Sequence, residues 1–126
     1  MPTDVPTDAP PFLEPGSATI ADFERLDLRV GRIISAAPLE AARKPAYRLE
    51  IDFGPAGRRS SSAQLRQTYP DPSALRGRLI VAVVNFPPRR VAGFRSEVLV
   101  LGALAPDGEI PLLGPDEGAQ PGQRIG

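Results

Sequence analysis

Two apolar runs of this chain, residues 79–84 and 98–101, are separated by a segment that can continue neither as a strand. It reads Asn85-Phe86-Pro87-Pro88-Arg89-Arg90 and returns through Gly93-Phe94-Arg95-Ser96. Pro87 and Pro88 have no amide hydrogen to give a sheet ladder, so the first strand must stop there. An apolar base thus presents a cationic corner with two phenylalanines. Guanidiniums suit phosphate oxygens and rings suit bases, so such a corner fits contact with nucleic acid.

The rest of the chain supplies strands for that base. Over residues 46–53, Tyr47, Leu49, Ile51 and Phe53 share one face while Arg48, Glu50 and Asp52 take the other. That is the period of a strand with one buried side. A first strand precedes it over residues 28–36, with Gly31 marking a bulge or a sharp bend. Gly54-Pro55-Ala56-Gly57 turns the chain into a third strand, residues 58–65, with Ala63 and Leu65 inward and Ser60, Ser62 and Gln64 outward. Residues 67–77, with Pro72 near the start and Gly77 at the end, form a short helical connection. Strands four and five, residues 78–85 and 97–104, are apolar on both faces, so their outer side needs a cover. Asp107-Gly108 makes a hairpin turn into a brief strand over residues 109–113, and residues 121–125 supply an edge piece.

Ahead of the first strand, Thr19-Ile20-Ala21-Asp22 is a capping box with Asp in place of Glu, opening a short helix over residues 20–25. Ile20, Phe23 and Leu26 share one of its faces. Five strands with a helical connector after the third describe an all-β fold, a five-stranded OB-fold barrel with terminal extensions. A Greek-key sandwich is the competing arrangement. Residues 1–18 hold five prolines and three acids and form a tail, disordered or docked, ahead of a single domain over residues 19–126.

Composition narrows the chemistry. The 126 residues include no histidine and no cysteine. The usual general base, the base of a serine triad and the commonest transition-metal ligands are therefore missing. No group of acids suggests a carboxylate-only magnesium site. We expect no catalytic residues, no metal and no cofactor. A carboxylate-dependent hydrolase is the enzyme reading left, and no paired acids support it. No apolar run approaches the length of about 20 residues that crosses a bilayer, and no basic segment leads an apolar one at the start. No membrane insertion and a cytoplasmic setting are expected.

Charge is unevenly placed although it sums to zero. Residues 1–24 carry five acids and no base. Residues 25–95 carry 14 bases against five acids, a net +9, and residues 96–126 carry five acids against Arg124, a net −4. A basic centre of this kind points to an anionic partner unless the fold brings the opposite charges together. Fourteen of the 15 bases are arginine, whose planar fork matches phosphate.

Four segments, in order and at these spacings, carry a resemblance. They are Asp22-Phe23 with Asp27-Leu28-Arg29-Val30-Gly31; Ala42-Arg43-Lys44-Pro45-Ala46-Tyr47 followed by Ile51-Asp52-Phe53-Gly54-Pro55; Ser61-Ser62-Ala63-Gln64; and Val83-Val84-Asn85-Phe86-Pro87-Pro88 continued by Ser96-Glu97-Val98-Leu99-Val100-Leu101-Gly102. Over residues 20–125 the chain resembles the tRNA-binding OB-fold domain family, and within it the CsaA type of small export-related chaperones. The resemblance implies tRNA bound on the barrel face and a homodimer formed largely by the chain ends beyond the barrel. It also implies binding of unfolded precursor polypeptides or export machinery. Arg89-Arg90 departs from the family's more usual Lys with a second polar residue, and keeps or raises the positive charge. The tail lies outside the pattern.

The candidate RNA-binding residues follow. Arg89, Arg90 and Arg95 are the phosphate contacts of the corner, and Phe94, placed after Gly93 in a loop, is an exposed ring for stacking. Phe86 either stacks on a base or caps the barrel. Asn85 and Ser96 flank the corner and either read a base edge or satisfy turn backbone. Arg43 and Lys44 stand on the loop between the first two strands, which borders the ligand groove of OB-folds. Arg29 is placed toward the groove. Ser62 and Gln64 either bind or face solvent, as does Ser61. Tyr47 has the parity of the core, and Glu97 beside Arg95 is read as a local ion pair of little energetic consequence.

Overall fold

The computed structural model describes residues 9–126. Helix α1 (Ile20–Glu24) is followed by β1 (Leu28–Pro38), β2 (Tyr47–Asp52), β3 (Arg58–Ala63), β4 (Leu79–Val83), the short pair β5 (Arg89–Val91) and β6 (Phe94–Ser96), and β7 (Leu99–Val100). Five of the strands form one antiparallel sheet in the order β3-β2-β1-β4-β7. It curls into a nearly closed barrel, the OB-fold architecture expected.

β1 is the pivot. Its first half pairs with β4 and its second half with β2, and Arg32 is in register with both Leu79 and Asp52. A strand that changes partners must bend around the barrel, and Gly31 permits this by lacking a side chain. A Cβ there would stand 2.6 Å from Ile51 Cγ2 and 2.8 Å from Phe53 Cε1. The bulge lies further along, where the register with β2 shifts between Ile33 and Ser35. Glycine therefore marks the close approach rather than the extra residue.

The barrel core gathers Ile33, Tyr47, Leu49, Ile51, Phe53, Leu65, Leu75, Ile80, Ala82 and Val98. Tyr47 belongs to it, as its parity indicates, and its hydroxyl donates to Tyr69 O at 2.7 Å. β4 is buried on both faces. Its outer residues Val81 and Val83 join Leu28 under a cover of Leu26, Leu101 and Ile125. The last residues of the chain lie along the first half of β1, with Val30 N donating to Gln123 O at 2.9 Å and Ile125 N to Leu28 O at 2.8 Å. This is the expected edge piece. It also covers an otherwise open strand edge.

Three sequence expectations change. The corner after β4 is itself a small hairpin, β5 with β6, in register from Arg89↔Ser96 to Val91↔Phe94. Its tight turn places Ala92 and Gly93 at positive φ, 52° and 81°. Strand five consequently shrinks to Leu99–Val100. Residues 109–113 make a single bridge, Leu112 to Gly102, instead of a strand. Pro111 has no amide hydrogen to extend that ladder. The connector between β3 and β4 holds one 3-10 turn, Pro72–Ala74, with Asp71 accepting from Ser73 N at 3.0 Å.

The barrel is sealed between β3 and β6 by a mixture of backbone and side-chain hydrogen bonds. Glu97 N donates to Ser60 O at 2.9 Å. Ser60 N donates to Glu97 Oε1 at 3.0 Å, and Ser62 N to Ser96 Oγ at 3.0 Å. Ser61 is fully buried here, its hydroxyl donating toward Val98 O at 3.0 Å.

The C-terminal segment is clamped by charge as well. Arg29 binds both oxygens of Asp27, at 2.5 and 3.2 Å, and donates to Gly122 O at 3.0 Å. The Arg29 hydrogen bond holds the Asp27 carboxyl below its ordinary range, despite some opposing desolvation. A depressed carboxyl contributes stability above its unfolded pKa and loses it as pH falls through the folded value. Urea midpoints are therefore expected to decline below about pH 4. Asp27→Asn is expected to make that decline shallower. An unchanged pH profile in the variant would remove the clamp from the account.

Candidate nucleic-acid interface

One loop, one strand end and one short strand build a groove on the barrel. The loop between β1 and β2 brings Arg43 and Lys44, the end of β3 brings Ser62 and Gln64, and β5 brings Arg89. These five residues, widely separated in sequence, line one depression of about 790 Å³. Arg43, Lys44 and Arg89 are exposed at its rim. None of the three forms an ion pair among the described residues. Their charge is thus available to an anion.

The floor is apolar. Leu65, Val91, Leu99, Leu101, Leu104, Ile110 and Leu112 line it. Leu104 is 86% exposed. The wall formed by residues 107–112 is fixed to the connector by Ile110 N donating to Thr68 Oγ1 at 2.7 Å and Leu112 N to Tyr69 Oη at 3.0 Å. Gln67 Nε2 adds a bond to Asp107 O at 3.0 Å. No periodicity exposes most of this floor in the sequence, because Leu65, Leu101, Leu104, Ile110 and Leu112 lie outside the strands and Val91 and Leu99 on very short ones.

A smaller hollow of about 320 Å³ lies beside the groove and shares Ser62, Arg89 and Leu99 with it. Phe86, Pro87, Ser96 and Glu97 complete its lining together with Val98. Phe86 is 43% exposed and belongs to neither core cluster. Ser96 is buried, and its hydroxyl accepts from Ser62 N.

The other sequence candidates are placed elsewhere. Arg29 is occupied by Asp27 and Gly122 and lines neither depression. Asn85 uses both ends of its amide to dock α1: Oδ1 accepts from Asp27 N at 2.9 Å and Nδ2 donates to Arg25 O at 2.8 Å. Arg90, Phe94 and Arg95 ride on the β5–β6 hairpin. Arg90 donates to Gly93 O at 2.9 Å across the turn. Arg95 lies 3.9 Å from Glu97 Oε2. Phe94 is half-buried.

Glu97 is more than a neighbour of Arg95. Its carboxylate accepts from Ser60 N and Ser60 Oγ, and the first of these bonds does most to hold its pKa below the ordinary range. The contact spans 37 positions of sequence, so no local pattern announces it. Among the described residues no cluster of His, Cys, Asp or Glu could hold a metal ion, and no helix is long and apolar enough to cross a membrane.

Known proteins share this fold. Among solved structures, the chaperone CsaA of Bacillus anthracis str. Ames superposes with a TM-score of 0.82 at 50% identity, covering 88% of this chain and all of that one. The CsaA chaperone protein of Picrophilus torridus gives 0.79 at 46% identity, covering 86% of this chain and 99% of the other. Among curated sequences, the methionine–tRNA ligase of Acidithiobacillus ferrooxidans is 44% identical over 106 residues, 84% of this chain but 15% of the ligase. That of Neisseria meningitidis serogroup A is 37% identical over 110 residues, 86% of this chain and 16% of the ligase. The chain therefore spans about a sixth of the length of these ligases. Residues 28–124 match the family described as "Putative tRNA binding domain", and the chain belongs to that tRNA-binding domain family.

Proposed function

We propose that this chain is a non-catalytic tRNA-binding module working in a cytoplasmic setting. The rim of Arg43, Lys44 and Arg89 takes the phosphates, and Gln64 and Ser62 supply polar contacts to sugar or base. Phe86 supplies a stacking face. Arg90, Arg95 and Phe94 extend the contact along the hairpin. The observation that carries this reading is the convergence of three cations without acidic partners on one groove of a tRNA-binding-family barrel. Arginine and lysine held at a groove rim act by releasing counterions from the RNA, which makes affinity depend on salt. Filter binding of tRNA across a salt series is expected to give a log–log slope of about −2 to −3 for three neutralised phosphates. A slope near zero would reject phosphate-led binding.

A specific observation favours a second activity. The groove floor offers apolar side chains beneath a cationic rim, a surface that also suits an unfolded polypeptide with basic-to-acidic and apolar complementarity. Two of the most similar solved structures are named chaperones. On this reading precursor polypeptides use the same groove as RNA. Protection of an unfolded client from aggregation is expected, and added tRNA is expected to abolish it. Protection that tRNA leaves untouched would separate the two sites.

Pairing of two copies fits the exposed end of the molecule. α1 buries none of its residues, and Ile20 is 76% and Phe23 40% exposed. A helix this short has little stability of its own and gains it by packing an apolar face. We assign that face to a homodimer contact. Sedimentation of the wild type against Ile20→Asp with Phe23→Asp is expected to show a dimer converted to a monomer.

A further inference from the structure

The hollow beside the groove holds two features that phosphate binding does not call for, next to a cation that it does. It sets an exposed ring (Phe86) and a partly buried carboxylate (Glu97), neither of which binds phosphate, beside the phosphate-binding cation Arg89. A carboxylate repels RNA phosphate, so its place next to a phosphate-binding rim needs a reason. Sealing the barrel uses only half of it. Oε1 accepts both Ser60 bonds, at 3.0 Å each. Oε2 accepts no hydrogen bond among the described residues; it forms a loose ion pair with Arg95 Nε at 3.9 Å, beyond hydrogen-bond distance, and Arg59 and Arg95 favour its charged form. Glu97 is thus a fixed acceptor with one oxygen to spare, 30% exposed at the wall of the hollow.

We propose that this hollow is a nucleobase subsite selective for guanine, in which Phe86 stacks on the base and Glu97 Oε2 accepts from its Watson–Crick edge. The proposal rests on the RNA-binding reading above. An ionised carboxylate only accepts, with two lone-pair sites on each oxygen. Guanine is the one common base with two adjacent Watson–Crick donors, N1–H and N2–H₂, and both can converge on a single oxygen. Adenine and cytosine set a ring-nitrogen lone pair beside their amino group, and uracil flanks its N3–H with two carbonyls. Each of these would bring a lone pair against the carboxylate. Unpaired bases of RNA are recognised in this manner, by stacking combined with hydrogen bonds to the Watson–Crick edge. The volume of about 320 Å³ is at the small end of ligand pockets, the scale of one base rather than a helix. Arg89, shared with the main groove, is placed to hold the phosphate that links this base to the next. The two Ser60 bonds hold the acceptor in place before the base arrives, which lowers the ordering cost of recognition.

The test uses the full chain and fluorescently labelled uridine heptamers carrying one central guanosine, inosine or adenosine. Inosine keeps N1–H and lacks the 2-amino group. Anisotropy is expected to rank guanosine about tenfold above adenosine, with inosine between them. Glu97→Gln keeps an acceptor for Ser60 N and replaces the spare oxygen by a donor. It is expected to bring the three affinities within about twofold, with the all-uridine heptamer bound at least as tightly as by the wild type and thermal melting confirming the fold. Equal binding of the three heptamers by the wild type overturns the proposal and leaves tRNA binding standing. So does binding of tRNA with none of the heptamers, or a Glu97→Gln variant that weakens every heptamer alike. Failure to bind tRNA as well as the heptamers overturns both readings.

Discussion

Replacing Arg43, Lys44 and Arg89 together with alanine is expected to lower tRNA affinity about a hundredfold at low salt. The magnitude follows from roughly 1 kcal/mol for each of three charge-assisted contacts, at the modest end of their range because the rim is exposed. The salt dependence is the sharper signature. Each lost phosphate contact removes about 0.7 to 0.9 from the log–log slope, so the triple variant is expected to respond far less to salt than the wild type. All tRNAs are expected to weaken alike, since phosphates carry no sequence. Arg76→Ala is the matching control, an exposed charge on the connector that lines neither depression. It is expected to change affinity by no more than about twofold. If the control and a single rim variant weaken binding equally, net charge and not the groove is responsible.

Ile51→Ala is expected to destabilise the barrel by about 2–5 kcal/mol, measured by urea denaturation. Ile51 is fully buried near the end of β2, and its removal leaves space beside Gly31 of β1. Gly31→Ala creates the opposite fault at the same place, because the added methyl would stand 2.6 Å from Ile51 Cγ2. Overpacking of this kind costs about 1–3 kcal/mol. The two faults relieve each other in part. The double variant is therefore expected to be more stable than the sum of the single losses allows, a favourable coupling of about 1 kcal/mol. Additive losses would show that Phe53, 2.8 Å from the same added methyl, and not Ile51 limits the approach.

The fold was readable wherever one face of a strand is wet. The alternation of Tyr47, Leu49, Ile51 and Phe53 against Arg48 and Glu50 is a local consequence of burial, and Thr19 with Asp22 makes the capping box its spacing indicates. The hairpin β5–β6 was not readable, because its strands are three residues long and Phe94 to Ser96 looks like a turn. The site divides on the same physical line. Arg43 and Lys44 stand on an exposed loop and Arg89 on the exposed hairpin strand β5, where charge faces outward by default, and the fold brings them together. The roles of Arg29, Asn85 and Ser96 depend on partners far along the chain: Gly122 for Arg29, Arg25 and Asp27 for Asn85, Ser62 for Ser96. Residue type alone cannot distinguish an arginine offered to phosphate from one holding the C-terminal segment. The apolar groove floor was hidden too, since Leu104, Ile110 and Leu112 belong to no regular element.

The join between β3 and the hairpin has a further consequence. Peptide groups are common to every sequence, but hydroxyls and carboxylates are encoded one codon at a time. Where the side chains of Ser60, Ser96 and Glu97 fasten the two edges, the tightness of the fastening can drift without any change in the sheet itself. A substitution at one of these positions would therefore loosen the hairpin over an unaltered barrel.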